Sequence, residues 1–252
     1  MTSNPLALQL YTVRDQLASG REAVLKAIRG FGYGAVEPYD VRTDPEALRA
    51  DLEEAGLAVC SVHARALGED AGPLLDGART VGADTVIVPS VPAARFADRA
   101  AVAALARDLN EAAAQAAGAG LRFGYHNHAF EFAQVAGRAG LEVLADALDQ
   151  AVILEVDTYW AAVGGQDPEA VPALLRRLGD RVRYLHVKDG PVTKDDPMTA
   201  VGTGRMPVAE ILAAAPAAEW HVVELDRCAT DMLTAVRESI EWLTARGLAT
   251  AR

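Results

Sequence analysis

Short runs rich in valine, isoleucine and leucine alternate along this chain with longer alanine- and leucine-rich stretches whose apolar positions recur at helical spacing. The runs predict strands at Leu6–Leu10, Ala35–Glu37, Ala58–His63, Thr85–Pro89, Arg122–His126, Val152–Asp157, Val182–Val187 and His221–Leu225. Between them the pattern predicts helices near residues 17–30, 45–55, 70–81, 98–117, 138–148, 168–178, 207–215 and 229–246. The punctuation agrees. Asp44-Pro45 and Asp167-Pro168 each set a capping carboxylate before a first-turn proline. Gly32, Gly56, Gly82, Gly120 and Gly179 follow helices, where a left-handed residue closes the last turn.

Strands and helices in strict alternation imply parallel strands joined by right-handed crossovers. The fold class is therefore α/β. Eight such units in 252 residues fit a (β/α)8 TIM barrel, one domain spanning residues 1–252. The rival is a doubly wound open sheet, which ordinarily carries a glycine-rich phosphate turn after its first strand. Here Tyr11-Thr12-Val13-Arg14-Asp15 stands in that place. Gly30, Gly32 and Gly34 precede a strand and read as a turn at the opposite end. No linker, low-complexity segment or compositional shift divides the chain.

Composition narrows the partners. With 35 acidic against 24 basic residues the formal charge is −11, and no run of bases interrupts it. Phosphate backbones and anionic lipid surfaces would repel such a chain, so neither nucleic acid nor membrane is an expected partner. No apolar stretch is long enough to span a bilayer, and the first residues lack the pattern of a secretory signal. Two unclustered cysteines, Cys60 and Cys228, suit a reducing compartment, and the expected location is cytoplasmic. Self-association into a homo-oligomer is compatible with all of this. The bases are twenty-one arginines and only three lysines, Lys26, Lys188 and Lys194. That bias points to a GC-rich genome and makes a lysine inside a motif more informative.

In a barrel the chemistry sits where strands end. Those ends carry Gln9 and Tyr11, Glu37, His63, His126 and His128, Glu155 and Asp157, His186 and Lys188, and Glu224 and Asp226. His221 starts the last strand and is expected at the other end. A single strand histidine is more often a hydrogen-bonded core residue than a ligand. Carboxylates are harder to dismiss, because an unpaired buried one costs several kcal/mol or is neutralised. The last three pairs are each two residues apart, which puts both members on one face of the sheet. Asp157, His186 and Glu224 thus converge from consecutive strands, a mixed oxygen and nitrogen donor set suited to Mn²⁺, Co²⁺, Mg²⁺ or Zn²⁺. A salt-bridge network is the structural alternative.

Six segments, in order, carry a resemblance: LALQLYTVRD, GYHNHAFEF, LEVDTYW with AAVGGQDP, LHVKDG, VGTGRMP and VVELD. Together they resemble the sugar phosphate isomerase/epimerase family, a xylose isomerase-like TIM barrel group that includes tagatose 3-epimerases, hydroxypyruvate isomerase and inosose dehydratase. The resemblance covers essentially the whole chain. It implies one divalent metal held at the ends of strands five to eight, with Asp157, His186 and Glu224 as three of its ligands. The family's first ligand is usually glutamate. This chain has His126 there, in YHNH, with Glu131 five residues on, so the fourth ligand is His126 or Glu131. Inosose dehydratases carry a similar histidine-rich fifth strand.

The resemblance also implies chemistry: proton abstraction beside a metal-bound carbonyl, through an enediolate, on a small carbohydrate substrate. Glu224 is then one base, and Glu131, His126 or His128 the second group. Lys188 is a candidate to polarise the carbonyl or bind a substrate oxygen, its structural alternative being a pair with Glu155 or Asp189. Gln9, Glu37, His63, Trp160 and Arg205 are candidate substrate contacts, with Tyr159 beside Trp160. Arg205, in the loop Gly202-Thr203-Gly204-Arg205, and the two aromatics have ordinary solvated or packing roles as alternatives. Three functions follow. The first is an isomerase or epimerase of a small keto-sugar or polyol. The second is a dehydratase or lyase acting on a keto-inositol or 3-keto-glycoside. The third is a sugar-binding barrel without turnover. The group's abasic-site endonuclease needs more ligands than these strand ends supply.

Overall fold

Every predicted strand forms, and all pair in parallel. The structure, a computed structural model, describes residues 4–68 and 70–250. The barrel strands are β1 (Leu6–Gln9), β2 (Ala35–Glu37), β3 in two pieces (Ala58–Val59 and Val62–His63), β4 (Thr85–Val88), β5 (Arg122–His126), β6 (Val152–Asp157), β7 (Val182–Val187) and β8 (Trp220–Val223). Their order around the sheet follows the chain, and β1 pairs with β8, Leu6 opposite His221. The first piece of β3 pairs with β2 and the second with β4, so the sheet meets itself in this segment. The predicted single strand at 58–63 is bent at Cys60-Ser61. There Ser61 Oγ turns inward to donate to Glu37 Oε1 at 2.5 Å. Closure across the bend is carried by Cys60 N–H to Val36 O and His63 N–H to Pro38 O, at 3.1 and 2.8 Å.

Nine α-helices lie among the described residues: α1 (Arg14–Phe31), α2 (Pro45–Ala55), α3 (Gly72–Thr80), α4 (Arg99–Gly118), α5 (Gly140–Ala147), α6 (Thr158–Val163), α7 (Val171–Leu178), α8 (Val208–Ala214) and α9 (Met232–Ala245). Eight match the predicted helices to within a few residues. The ninth, α6, falls where only a connection was expected. Asp157 starts it by accepting from Trp160 N–H at 2.8 Å, a side-chain cap of the kind that nucleates a short helix. A small antiparallel pair, Gln134–Val135 with Arg138–Ala139, also lies outside the predicted elements.

Period-two alternation sorts the strands. Outward residues such as Leu6, Leu8, Val86, Val88, Val152, Leu154 and Leu185 join the main core against the helices. Inward residues form two layers. Ala7, Ala35, Cys60, Ile87, Tyr184 and Val222 fill the lower one. Gln9, Glu37, His63, His126, Glu155, His186 and Glu224 make the upper one, all buried. A polar layer inside a barrel is costly unless its members satisfy one another. It therefore marks this end of the barrel as the place to look for a functional site. His221 lies at the other end as expected, its Nε2 3.2 Å from the Asn4 amide. No described helix is long and apolar enough to cross a membrane.

Candidate metal centre

The upper layer is a lattice of imidazoles and carboxylates. Glu155 Oε2 is its hub, at 2.5 Å from His63 Nε2, 3.0 Å from His126 Nδ1 and 3.1 Å from His186 Nε2. His186 is held at both ring nitrogens: Nδ1 lies 2.7 Å from Glu224 Oε2, and Nε2 lies 2.9 Å from Glu37 Oε2. Glu37 is fixed in turn by Gln9 Nε2 at 2.6 Å and by Ser61. Asn127 clamps the backbone of Asp157 from both sides, donating to its carbonyl and accepting from its N–H at 3.1 Å each.

Lys188 is buried and meets three carboxylates. Its Nζ lies 2.9 Å from Asp157 Oδ2, 2.7 Å from Glu224 Oε2 and 2.8 Å from Asp226 Oδ2. Neither Glu155 nor Asp189, the partners weighed from sequence, holds it. Asp226 also accepts from the Trp160 indole N–H at 3.1 Å, which ties Trp160 to the lysine rather than to the cavity.

Charge follows from these contacts. Burial works against the His186 cation, but the carboxylates of Glu155 and Glu224 outweigh it and hold the imidazole well above its ordinary pKa. Burial also works against the Glu155 anion, yet His186 and His63 keep that carboxyl well below the usual range. Asp157 goes the other way. Burial raises it to about 6 despite Lys188. Burial, then Lys188, lowers His128 to about 4, so this imidazole is neutral at neutral pH. Its Nδ1 has no hydrogen-bond partner.

Two sets of four side chains bring ligand atoms within 4.8 Å of one another: His63, His126, Glu155 and His186, and His126, Asp157, His186 and Glu224. The second draws on three adjacent strands, β5 to β7, and on Glu224 directly after β8. Two imidazoles and two carboxylates suit a divalent transition cation. Glu155 Oε1 is buried without a hydrogen-bond partner, as an oxygen waiting for a cation would be, while Asp157 Oδ2 faces the Lys188 ammonium. His186 has a carboxylate on its far nitrogen, the usual support of a ligating histidine. The residues present therefore fit a metal ion.

Glu131 stands apart from both sets. Its Oε1 accepts from Tyr125 Oη at 2.9 Å and its Oε2 from His128 N–H at 3.0 Å, and burial raises it to about 7. It braces the loop that carries His128. A cavity of about 480 Å³ opens above the lattice, lined by His63, His126, His128, Glu224 and Asp226 with Tyr11, Tyr39 and Arg65 at its mouth. Gln9 and Glu37 lie beneath it, behind His186. Arg205 is not among its lining residues; its Nη1 bonds to Pro191 O at 3.3 Å.

The loop after β7 is built around Asp189. This carboxylate is buried and accepts from four backbone N–H groups. Gly190 and Met206 bond to Oδ1 at 2.8 and 3.0 Å, and Gly202 and Gly204 to Oδ2 at 2.8 and 3.0 Å. Gly204 has no room for a Cβ against that carboxylate, and Gly202, at φ +90°, has none against the Trp242 ring.

Sequence reasoning gathered Asp157, His186 and Glu224 into one site with His126 or Glu131 as the fourth member, and the structure brings His126 but not Glu131 to the other three. That reasoning did not single out the Glu155 hub, the Asn127 clamp or the Asp189 nest. The paired spacing of Glu155 and Asp157 was the available signal for the first.

The sequence matches the model of the xylose isomerase-like TIM barrel family over residues 25–246. Among solved structures it is similar to a sugar phosphate isomerase/epimerase from Parabacteroides distasonis, at 23% identity and a TM-score of 0.84, covering 99% of this chain and 96% of that one. It is also similar to an L-ribulose 3-epimerase, at 18% identity and a TM-score of 0.64, covering 98% and 95%. A third is the probable 3-DHS dehydratase AsbF of Bacillus anthracis, at 14% identity and a TM-score of 0.72, covering 95% and 98%. No curated protein matches the sequence.

Proposed function

The chain belongs to the xylose isomerase-like TIM barrel family, and from that premise we propose a divalent-metal-dependent isomerase or epimerase of a small keto-sugar or related polyol. The observation that carries this reading is the set His126, Asp157, His186 and Glu224, converging beneath a cavity large enough for a sugar. These four would hold the metal, with His126 in the place the family usually gives to glutamate. A bound divalent ion would polarise a substrate carbonyl and lower the acidity barrier at the neighbouring carbon.

The chain's own residues do the rest. His128 is a neutral imidazole at the cavity wall and is the proton acceptor in this reading. Glu224, which also lines the cavity, is the second proton-carrying group. Lys188, buried and outside the cavity lining, holds Asp157, Glu224 and Asp226 in place by its charge. Glu131 positions His128 through its backbone. The same abstraction, followed by loss of a group at the next carbon, gives the dehydratase or lyase reading, which the likeness to a probable dehydratase keeps open. Both cysteines are free thiols, in keeping with work in the reducing cytoplasm.

The test is metal affinity together with deuterium exchange. His126→Ala, Asp157→Ala and His186→Ala should each weaken Mn²⁺ binding by about tenfold or more, and Glu131→Gln by far less. Metal-loaded protein should exchange a carbon-bound hydrogen of a keto-sugar with solvent. Normal metal affinity in Asp157→Ala, or a strong loss in Glu131→Gln, would overturn the ligand assignment. Absence of exchange across a panel of keto-sugars and inososes would favour a binding barrel.

A further inference from the structure

Among the described residues Tyr11 and Tyr39 are the exposed large hydrophobic ones, at 41% and 40% exposure, and both stand at the mouth of the cavity above the lattice. Elsewhere among the described residues, large apolar side chains are buried or half-buried. The two rings meet edge to face, with centroids 5.4 Å apart and planes at 88°. They form an apolar corner, and the corner is braced. Arg14 lies over the Tyr11 ring at 4.2 Å from its centroid. The same guanidinium bonds to Tyr11 O at 2.8 Å and to Asp226 O at 3.0 Å. Tyr11 N–H donates to Gln9 Oε1 at 3.0 Å, and Gln9 holds Glu37 behind His186. Tyr39 follows Glu37 by two residues. The corner is thus tied directly to the lattice below it.

Exposed aromatics held rigid beside a polar site present large contact area at little entropic cost, as recognition surfaces do. The cavity points the same way. At about 480 Å³ it lies in the range, roughly 300–1,000 Å³, of sites that enclose drug-sized molecules. It has room for more than one sugar ring.

We propose that the substrate carries a second, planar or apolar ring, and that Tyr11 and Tyr39 receive it: a keto-sugar glycoside whose sugar sits over the histidine–carboxylate lattice and whose aglycone stacks in the corner. This rests on the sugar-directed reading above and names its substrate class.

The test uses two unoxidised probes that cannot react, 4-nitrophenyl β-glucopyranoside and methyl β-glucopyranoside, titrated calorimetrically into the full chain. The nitrophenyl glycoside should bind about fivefold or more tightly than the methyl glycoside. In Tyr11→Ala/Tyr39→Ala that ratio should fall below about two. Tyr39→Phe keeps the ring and should keep the ratio. A ratio near one in the native chain, or one that survives the double substitution, overturns the proposal. So does a ratio lost in Tyr39→Phe, which would assign the effect to the hydroxyl. A dimer in sedimentation that the double substitution dissolves would give the corner to a second copy and likewise overturn it. Because neither probe turns over, the outcome is separate from that of the exchange assay. A retained ratio without exchange leaves the ring site standing and removes the chemistry; exchange with a ratio of one does the reverse.

Discussion

Replacing Asp189 by asparagine should unfasten the loop after β7 while leaving the barrel folded. The aspartate satisfies four backbone donors, two on each oxygen. An asparagine keeps one oxygen. If it stays with Gly190 and Met206, an amide NH₂ faces the N–H groups of Gly202 and Gly204, donor against donor. Hydrogen bonds to a buried charge contribute about 1.5–3 kcal/mol each, so losing two costs roughly 3–6 kcal/mol. Residues 202–205 are half-buried or exposed, so the loop can release into water and limit the damage. The effect is therefore local. Native-state hydrogen exchange reads it directly. Protection at Gly202 and Gly204 should fall by roughly a hundredfold to ten-thousandfold, at about 1.4 kcal/mol per tenfold, while the amides of β7 keep theirs. Protection at these two amides unchanged within about threefold would refute the nest. So would a loss spread evenly over the barrel.

His221, held neutral by burial at a pKa of about 4, should make stability fall with acidification. The unfolded chain takes up this proton near pH 6.5 and the folded one only near 4, so stability is lost as pH drops through that window. The loss amounts to about 3 kcal/mol at its full extent. Denaturant midpoints for the native chain and His221→Gln should converge toward pH 4, and parallel curves would count against it. His186 has carboxylates on both ring nitrogens, which favour its doubly protonated form, and the proposed metal would have to displace one of those protons. Metal uptake should therefore release a proton, read by calorimetry in buffers of different ionisation enthalpy, and affinity should drop by about tenfold per pH unit on acidification. A pH-independent affinity would contradict this.

The barrel and the convergence of most candidate-site residues were legible because their signals are periodic. Alternation set the strands, and spacing of two put Asp157, His186 and Glu224 on the inner face. The choice between His126 and Glu131 was not legible. It turns on the direction of a loop side chain, and Tyr125 and the His128 N–H together draw Glu131 away from the lattice. The α6 helix was missed because Asp157 reads as a ligand, while its second role as a cap depends on local backbone direction. VGTGRMP was readable as a motif but not as a nest, since the carboxylate it wraps lies twelve residues before its first valine. The contact between Ser61 and Glu37 was hidden by the apolar look of β3, whose run of strand-forming residues gives no sign of the bend.

The pairing of β1 with β8 joins residue 6 to residue 221, and this shapes how the molecule is made. Thermodynamically the long loop matters little. Each doubling costs about 0.6 kcal/mol, so closing it rather than the short β1–β2 connection adds roughly 2 kcal/mol. Kinetically it matters more. During synthesis β1 pairs with β2 early, yet its other edge has no partner until β8 leaves the ribosome. For most of translation the growing chain is an open sheet with a bare parallel edge, the kind of surface that pairs with neighbours. Shielding of that edge, rather than stability of the finished barrel, is the step at which a nascent chain of this design is most exposed to aggregation.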